Sequence, residues 1–216
     1  MMKRAMLIVG LSLIITSLAQ AAPSIILNGS FEEDSQVAVG SYTTLSPGDP
    51  SITGWTVGGV NVDWVGTYWT ASDGSRSIDL NGNAGVGVNA AGSIAQTFAT
   101  AAGQWYNVTF DMAANPDGGT SATKWLMVEA DGQSADFSSS ANPKLGQWDS
   151  MTWSFLADGN TTLTFSSLMT VDGDNGWGPA LDNVSVIATV PAPGALLLGS
   201  LGAAMVGAMR RRTLRA

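Results

Sequence analysis

The chain has 216 residues, of which 17 are acidic and nine basic, with no cysteine and no histidine. That length suits one sandwich-sized domain plus targeting segments. The missing residue types exclude disulfides, thiolate or imidazole zinc sites, and Ser-His-Asp or Cys-His nucleophilic catalysis. Every acidic residue lies between Glu32 and Asp182, where only Arg76, Lys124 and Lys144 oppose them. Three basic against 17 acidic residues leave this stretch at −14. A field of that sign repels phosphate backbones and argues against nucleic acid as a partner, while it suits neutral ligands and cations such as calcium (Ca2+).

Taken in chain order, Lys3 and Arg4 precede an apolar run from Ala5 to Leu18, and Ala19-Gln20-Ala21 follows. Charged, apolar and small-x-small regions in that order predict a secretory signal peptide over residues 1–21, a helix removed near Ala21. Residues 22–189 read as strands almost throughout. Tyr106, Val108, Phe110 and Met112 alternate with polar residues, as do Met151, Trp153 and Phe155, and Leu163 and Phe165. Period two marks strands with one buried and one wet face. Further strands are expected at 54–57, 60–65, 76–80, 92–98, 124–130 and 181–187. Turn clusters such as Ser46-Pro47-Gly48-Asp49-Pro50, Asn115-Pro116-Asp117-Gly118-Gly119 and Asp158-Gly159-Asn160 separate them. About nine strands predict an all-β, antiparallel β-sandwich of jelly-roll type. It would be flanked by the signal helix and a C-terminal transmembrane helix.

Residues 190–216 carry Val190-Pro191-Ala192-Pro193, an apolar run from Gly194 to Met209, and Arg210-Arg211-Arg212. At about 1.5 Å per residue the run spans roughly 24 Å, a short membrane helix. Its arginines would hold the end on the cytoplasmic side and leave the β domain outside. This three-part end resembles the PEP-CTERM sorting signal, with Ala192 where that signal usually carries glutamate. The resemblance implies an exosortase as a processing partner, and association with exopolysaccharide.

Several stretches also occur in an ordered set: Asn28-Gly29-Ser30-Phe31-Glu32, Gly54-Trp55-Thr56-Val57, Asn61 to Trp69, Ser77-Ile78-Asp79-Leu80-Asn81-Gly82, Gly92 to Phe98, and Gly178 to Val186. Together they resemble the choice-of-anchor C family of bacterial surface proteins. Beyond it stand the galactose-binding-like jelly rolls, which include carbohydrate-binding modules. Many of those hold structural calcium where the first strand meets the last. The matching acidic residues here are Glu32 and Asp182. Asp182 is also in phase with Val184 and Val186, which points it inward, where a carboxylate needs a cation or hydrogen-bond donors. The alternative places Asp182 at the strand mouth, solvated or capping a turn.

A second candidate site is an aromatic sugar platform. Of the eight tryptophans, Trp55, Trp105, Trp125 and Trp153 fall in or beside strand patterns and read as core. Trp64, Tyr68 and Trp69 cluster with Asp63 and Thr67, and Trp177 sits in a glycine-rich loop. Such residues either pack under loops or meet a ligand. Arg76, the lone arginine of the domain, would pair with an acid such as Asp79 or touch that ligand. A third candidate, two carboxylates for glycoside hydrolysis, finds no recognisable motif. Asp172-Gly173-Asp174-Asn175-Gly176 echoes the start of a calcium loop but lacks the twelfth-position glutamate, and reads as a turn. The expectation is a non-catalytic surface or matrix protein that binds polysaccharide. Its rivals are a surface protein contacting other proteins and a carboxylate-dependent glycosidase.

Overall fold

The alternating segments form strands in a computed structural model, which describes residues 23–33, 40–83, 91–117, 122–169 and 176–189. Among the described residues there are eleven strands. They are β1 (Tyr42–Leu45), β2 (Thr56–Gly59), β3 (Val62–Val65), β4 (Ser77–Asp79), β5 (Gly92–Ala99) and β6 (Trp105–Ala114). Then come β7 (Lys124–Ala130), β8 (Gln133–Ser139), β9 (Asp149–Leu156), β10 (Asn160–Ser167) and β11 (Pro179–Ala188). One sheet has the order β1-β3-β4-β11-β6-β9 and the other β2-β5-β10-β7-β8. All named pairings are antiparallel. The architecture is a two-sheet antiparallel sandwich. The expected signal helix and membrane helix lie outside the described residues. Among those described, no helix is long and apolar enough to cross a membrane.

The core lies between the sheets. Val62, Trp64, Ile78, Val108, Phe110, Met112 and Leu181 enter it from one side, and Val57, Ile94, Leu126, Val128, Leu163 and Phe165 from the other. Phe110 meets Phe137 and Phe165 edge-on, with ring centroids 5.2 and 5.1 Å apart. Such contacts add to the area term that dominates the sandwich.

Nine of the strands stand where the alternation predicts them. The two it misses, β1 and β8, each stand at one of the two edges of a sheet. An outermost strand has a single hydrogen-bonded neighbour and can afford polar residues, so Thr43-Thr44 and Ser134-Ala135-Asp136 carry no strong apolar period. Trp105 and Trp125, expected in the core, are about half exposed instead, at 49% and 46%. Each precedes the inward phase of its strand: Tyr106 and Leu126 are the buried neighbours.

The phase expected for Asp182 is also corrected. Leu181 and Val184 both enter the core, three residues apart. The register slips between Asp182 and Ser185, and Asn183 adopts the left-handed conformation at φ 50°. This bulge spends one residue out of register. Asp182 therefore sits opposite Asp111, on the face turned away from the core.

The N-terminal segment runs beside β11. Ile25 N–H donates to Val186 O at 2.9 Å, and Val184 N–H donates to Gly29 O at 2.9 Å. A Cβ on Gly29 would lie 1.9 Å from Val184 O, so no other residue fits there without moving backbone. Asn28, left-handed at φ 53°, donates through its amide to Glu33 O and Thr53 O and accepts from Glu33 N–H. Phe31 then drops into the core, fully buried.

Candidate functional site

The outer face of the six-stranded sheet carries the alternate residues of its strands, where Val65, Ala113 and Ala180 pack with Trp69 beside four aspartates. Asp63 of β3 stands opposite Asp79 of β4, and Asp182 of β11 opposite Asp111 of β6. Directly paired side chains in a sheet lie about 5 Å apart. All four aspartates are nevertheless buried, with 8% exposure or less. Loops fold over this face and shelter them.

The loop from Gly66 to Arg76 is the main cover. Two carboxylates hold it. Asp182 Oδ2 accepts from Ser72 N–H at 2.7 Å and Asp73 N–H at 2.9 Å. Glu32 Oε1 accepts from Ser75 N–H and Arg76 N–H, both at 2.7 Å, and its Oε2 accepts from the Ser75 hydroxyl at 2.8 Å. Gly74 between them is left-handed at φ 68°, and a Cβ there would press within 2.5 Å of Glu32 Oε1. Ser72 also reaches across to Asp111 Oδ2 at 2.5 Å. A second loop locks on: Trp148 Nε1–H donates to Thr70 O at 3.0 Å, and Thr70 N–H to Pro143 O at 3.2 Å.

Beside this cover opens a cleft of about 340 Å³ lined by Tyr42, Asp63, Val65, Tyr68, Trp69, Asp79, Asn83, Asn115, Gly176 and Trp177. Four aromatic rings and four polar side chains thus share one concavity. Trp69 is anchored by its Nε1–H donating to Ser77 Oγ at 2.7 Å. Tyr68 meets Tyr42 edge-on at 5.6 Å and Trp69 at 5.7 Å. At the rim the Lys144 ammonium lies 4.4 Å from the Tyr68 ring centroid and forms an ion pair with Asp117.

Electrostatics within the cleft follow from burial. Asp79 Oδ1 accepts from Asn81 N–H at 2.9 Å and Gly178 N–H at 3.0 Å, and its Oδ2 accepts from Asn115 Nδ2 at 2.8 Å. Desolvation still outweighs these donors; with Asp63 opposite, it pushes the Asp79 carboxyl up to about 7. Burial also raises Asp63, against the Thr44 hydroxyl and the Asn83 N–H that favour its charged form. Asp182 is pushed up to about 7 by the same desolvation, opposed by its N–H donors. Tyr68 is pushed up to about 12, first by its hydrogen bond to Asp117 and then by burial. Partial burial works to raise Asp117, but hydrogen bonds from Lys144 and Tyr68 prevail and hold it below the usual carboxylate value.

The residues expected to form a sugar platform separate here. Tyr68, Trp69 and Trp177 line the cleft together. Trp64 does not: it is completely buried in the core, with its Nε1–H donating to Phe31 O at 3.2 Å. Its neighbours in β3 explain this, because Val62 and Trp64 share the inward phase while Asp63 and Val65 face outward. Arg76 stacks its guanidinium 4.5 Å from the Trp64 ring centroid and lies outside the lining of the cleft. The strand pattern missed Tyr42, Asn83 and Asn115, which sit in an unpredicted edge strand and in turns. Asp79 was legible only as an acid in a strand pattern.

Glu32 and Asp182, expected as calcium ligands, hold neighbouring residues of one loop, Ser75-Arg76 and Ser72-Asp73, on either side of Gly74. Among the described residues no group of three or more acidic side chains is placed to hold a metal ion. Asp172 to Asn175, read as a turn, lie outside the described residues.

The fold and its covered polar face place the chain among all-β sandwich domains. The chain belongs to the family described as "Protein of unknown function (DUF642)", whose profile matches residues 24–187. It is 34% identical over 180 residues to halomucin of Haloquadratum walsbyi, an alignment that spans 80% of this chain and 2% of that protein. Solved structures of similar fold include a CBM22-1–CBM22-2 tandem domain from Paenibacillus barcinonensis, 17% identical, covering 82% of this chain and 49% of that one, with a TM-score of 0.47. A CBM35 from the same organism is 20% identical over 68% of this chain and 99% of its own, with a TM-score of 0.43. "TmCBM61", solved with β-1,4-galactotriose, is 16% identical over 78% of this chain and 100% of its own, with a TM-score of 0.45.

Proposed function

We propose that this chain is an exported, non-catalytic protein that binds carbohydrate in the cleft on the outer face of its six-stranded sheet. The observation that carries the reading is the composition of that cleft: Tyr42, Tyr68, Trp69 and Trp177 beside Asp63, Asp79, Asn83 and Asn115. A pyranose presents an apolar C–H face for ring stacking and a rim of hydroxyls for amides and carboxylates. A volume of about 340 Å³ falls within the roughly 300–1,000 Å³ of small-ligand clefts. Polysaccharide, including exopolysaccharide at the producing cell's surface, is the ligand class that suits such a site. Export rests on the signal pattern of residues 1–21, and sorting by an exosortase on the pattern of residues 190–216, with residues 194–209 in the membrane before processing.

The test of binding is affinity electrophoresis through a panel of soluble polysaccharides, with a glycan array beside it. Retardation by at least one polysaccharide is expected, and Trp177→Ala should abolish it while leaving the melting temperature near that of the parent. No retardation by any glycan would remove the reading. Export is checked by mass spectrometry of the protein recovered from its own cells: loss of about the first 21 residues is expected.

A further inference from the structure

Among the described residues the cleft has acids and no base. Among its lining residues Asp63 and Asp79 are the charged groups, and no lysine or arginine lines it. The two stand directly opposite each other on adjacent strands. Among the described residues, the hydrogen-bond donors to Asp63, the Thr44 hydroxyl at 2.5 Å and Asn83 N–H at 3.3 Å, both fall on Oδ1. Asp63 Oδ2 thus receives no donor among the described residues, and the paired aspartates hold more acceptor capacity than those residues fill. A buried acceptor without a donor is costly, and a ligand that brings donors recovers that cost.

The rim shows which donor the chemistry accommodates. Lys144 lays its ammonium over the Tyr68 ring and pairs it with the Asp117 carboxylate. Aromatic face plus carboxylate is a recognition pattern for an alkylammonium ion. The same two components recur inside the cleft, as Trp69, Trp177 and Tyr42 beside Asp63 and Asp79, with no ammonium among the described lining residues.

We propose that the cleft selects sugar residues that carry a free amine, such as unacetylated hexosamine units, over neutral sugars and against uronic acids. The proposal rests on the carbohydrate-binding reading and narrows it. The ring of the sugar stacks on the aromatic wall, and its ammonium takes a position between the paired aspartates. An ammonium there favours their ionised forms, so binding expels the proton that burial otherwise keeps on the pair. A uronate would set a third carboxylate beside two buried ones.

The test is calorimetric titration of the purified protein at pH 6.5 with three tetrasaccharides: glucosamine, its N-acetylated counterpart and galacturonate. The glucosamine oligomer is expected to bind about tenfold or more tightly than the N-acetylated one, the scale of a desolvated charge pair. The galacturonate oligomer should show no binding. In Asp63→Asn the amine preference should shrink to near unity. Equal or tighter binding of the N-acetylated or uronate oligomer would overturn the amine preference and leave the carbohydrate reading standing. Failure of all three, together with failure of every polysaccharide in the electrophoresis panel, would remove both. The comparison of ligands on the parent protein decides the matter even where Asp63→Asn does not fold.

Discussion

Along β3, Val62 and Trp64 enter the space between the sheets, while Asp63 and Val65 face the covered outer surface. The same split runs through β4, β11 and β6: Ile78, Leu181 and Met112 go inward, and Asp79, Asp182 and Asp111 outward. Both faces are buried, yet by different means. The inner face is closed by a second sheet and held by apolar packing. The outer face is closed by loops, and backbone N–H groups, hydroxyls and amides around it donate to its buried carboxylates. The inner face is therefore mostly apolar, whereas the other keeps acids, amides and rings available to a ligand.

Breaking the inner face should cost the most. Trp64→Ala removes a fully buried indole and should destabilise the domain by about 3–5 kcal/mol. Urea unfolding checks this, and sugar binding should be lost only where the fold is. The outer face should announce itself through pH. The folded protein keeps protons on Asp79 and Asp182 up to about 7, whereas their ordinary value is 3.8. Between those values the folded state binds more protons than the unfolded state. Stability therefore falls as pH rises from about 4 towards 7, and levels off above it. Melting temperatures measured from pH 4.5 to 8 should decline across that window, and Asp79→Asn should flatten the slope. A rise instead would mean that the N–H donors outweigh desolvation.

Asp182→Asn offers a sharper probe of the loop clamp. Its new amide group would face N–H donors that need an acceptor, at a cost of about 1–3 kcal/mol. Hydrogen exchange should quicken at Ser72 and Asp73 before anywhere in the core. The smallest effect belongs to the rim. Lys144→Met loses an ion pair and a ring contact at the surface, worth up to about 1 kcal/mol in thermal unfolding.

Much of the fold was legible because alternation is a local signal. Nine strands and the apolar inner face follow from period two. The edge strands β1 and β8 were not legible, since an outermost strand needs less burial to persist. The phase of Asp182 was misread for a different reason. A bulge at Asn183 shifts the parity by one residue, and no periodicity announces it. The aromatic cluster Trp64-Tyr68-Trp69 was visible as a cluster, but its division into one core residue and two cleft residues depends on which phase faces the other sheet. The ordered stretches also acquire physical reasons: Asn28 and Gly29 shape the entry beside β11, Glu32 and Asp182 grip the covering loop, and Gly178 passes so close to Asp79 that a Cβ would come within 2.5 Å of its Oδ1.

By itself the sequence determined the class of fold, the acidic character of the domain and the absence of cysteine and histidine chemistry. Those depend on composition and on contacts between near neighbours. Only the tertiary structure decided that Asp63 faces Asp79, that Tyr42 and Trp177 share one cleft with Trp69, and that Glu32 and Asp182 hold a loop. These pairings join residues from distant parts of the chain, and their register is set by the sheet as a whole.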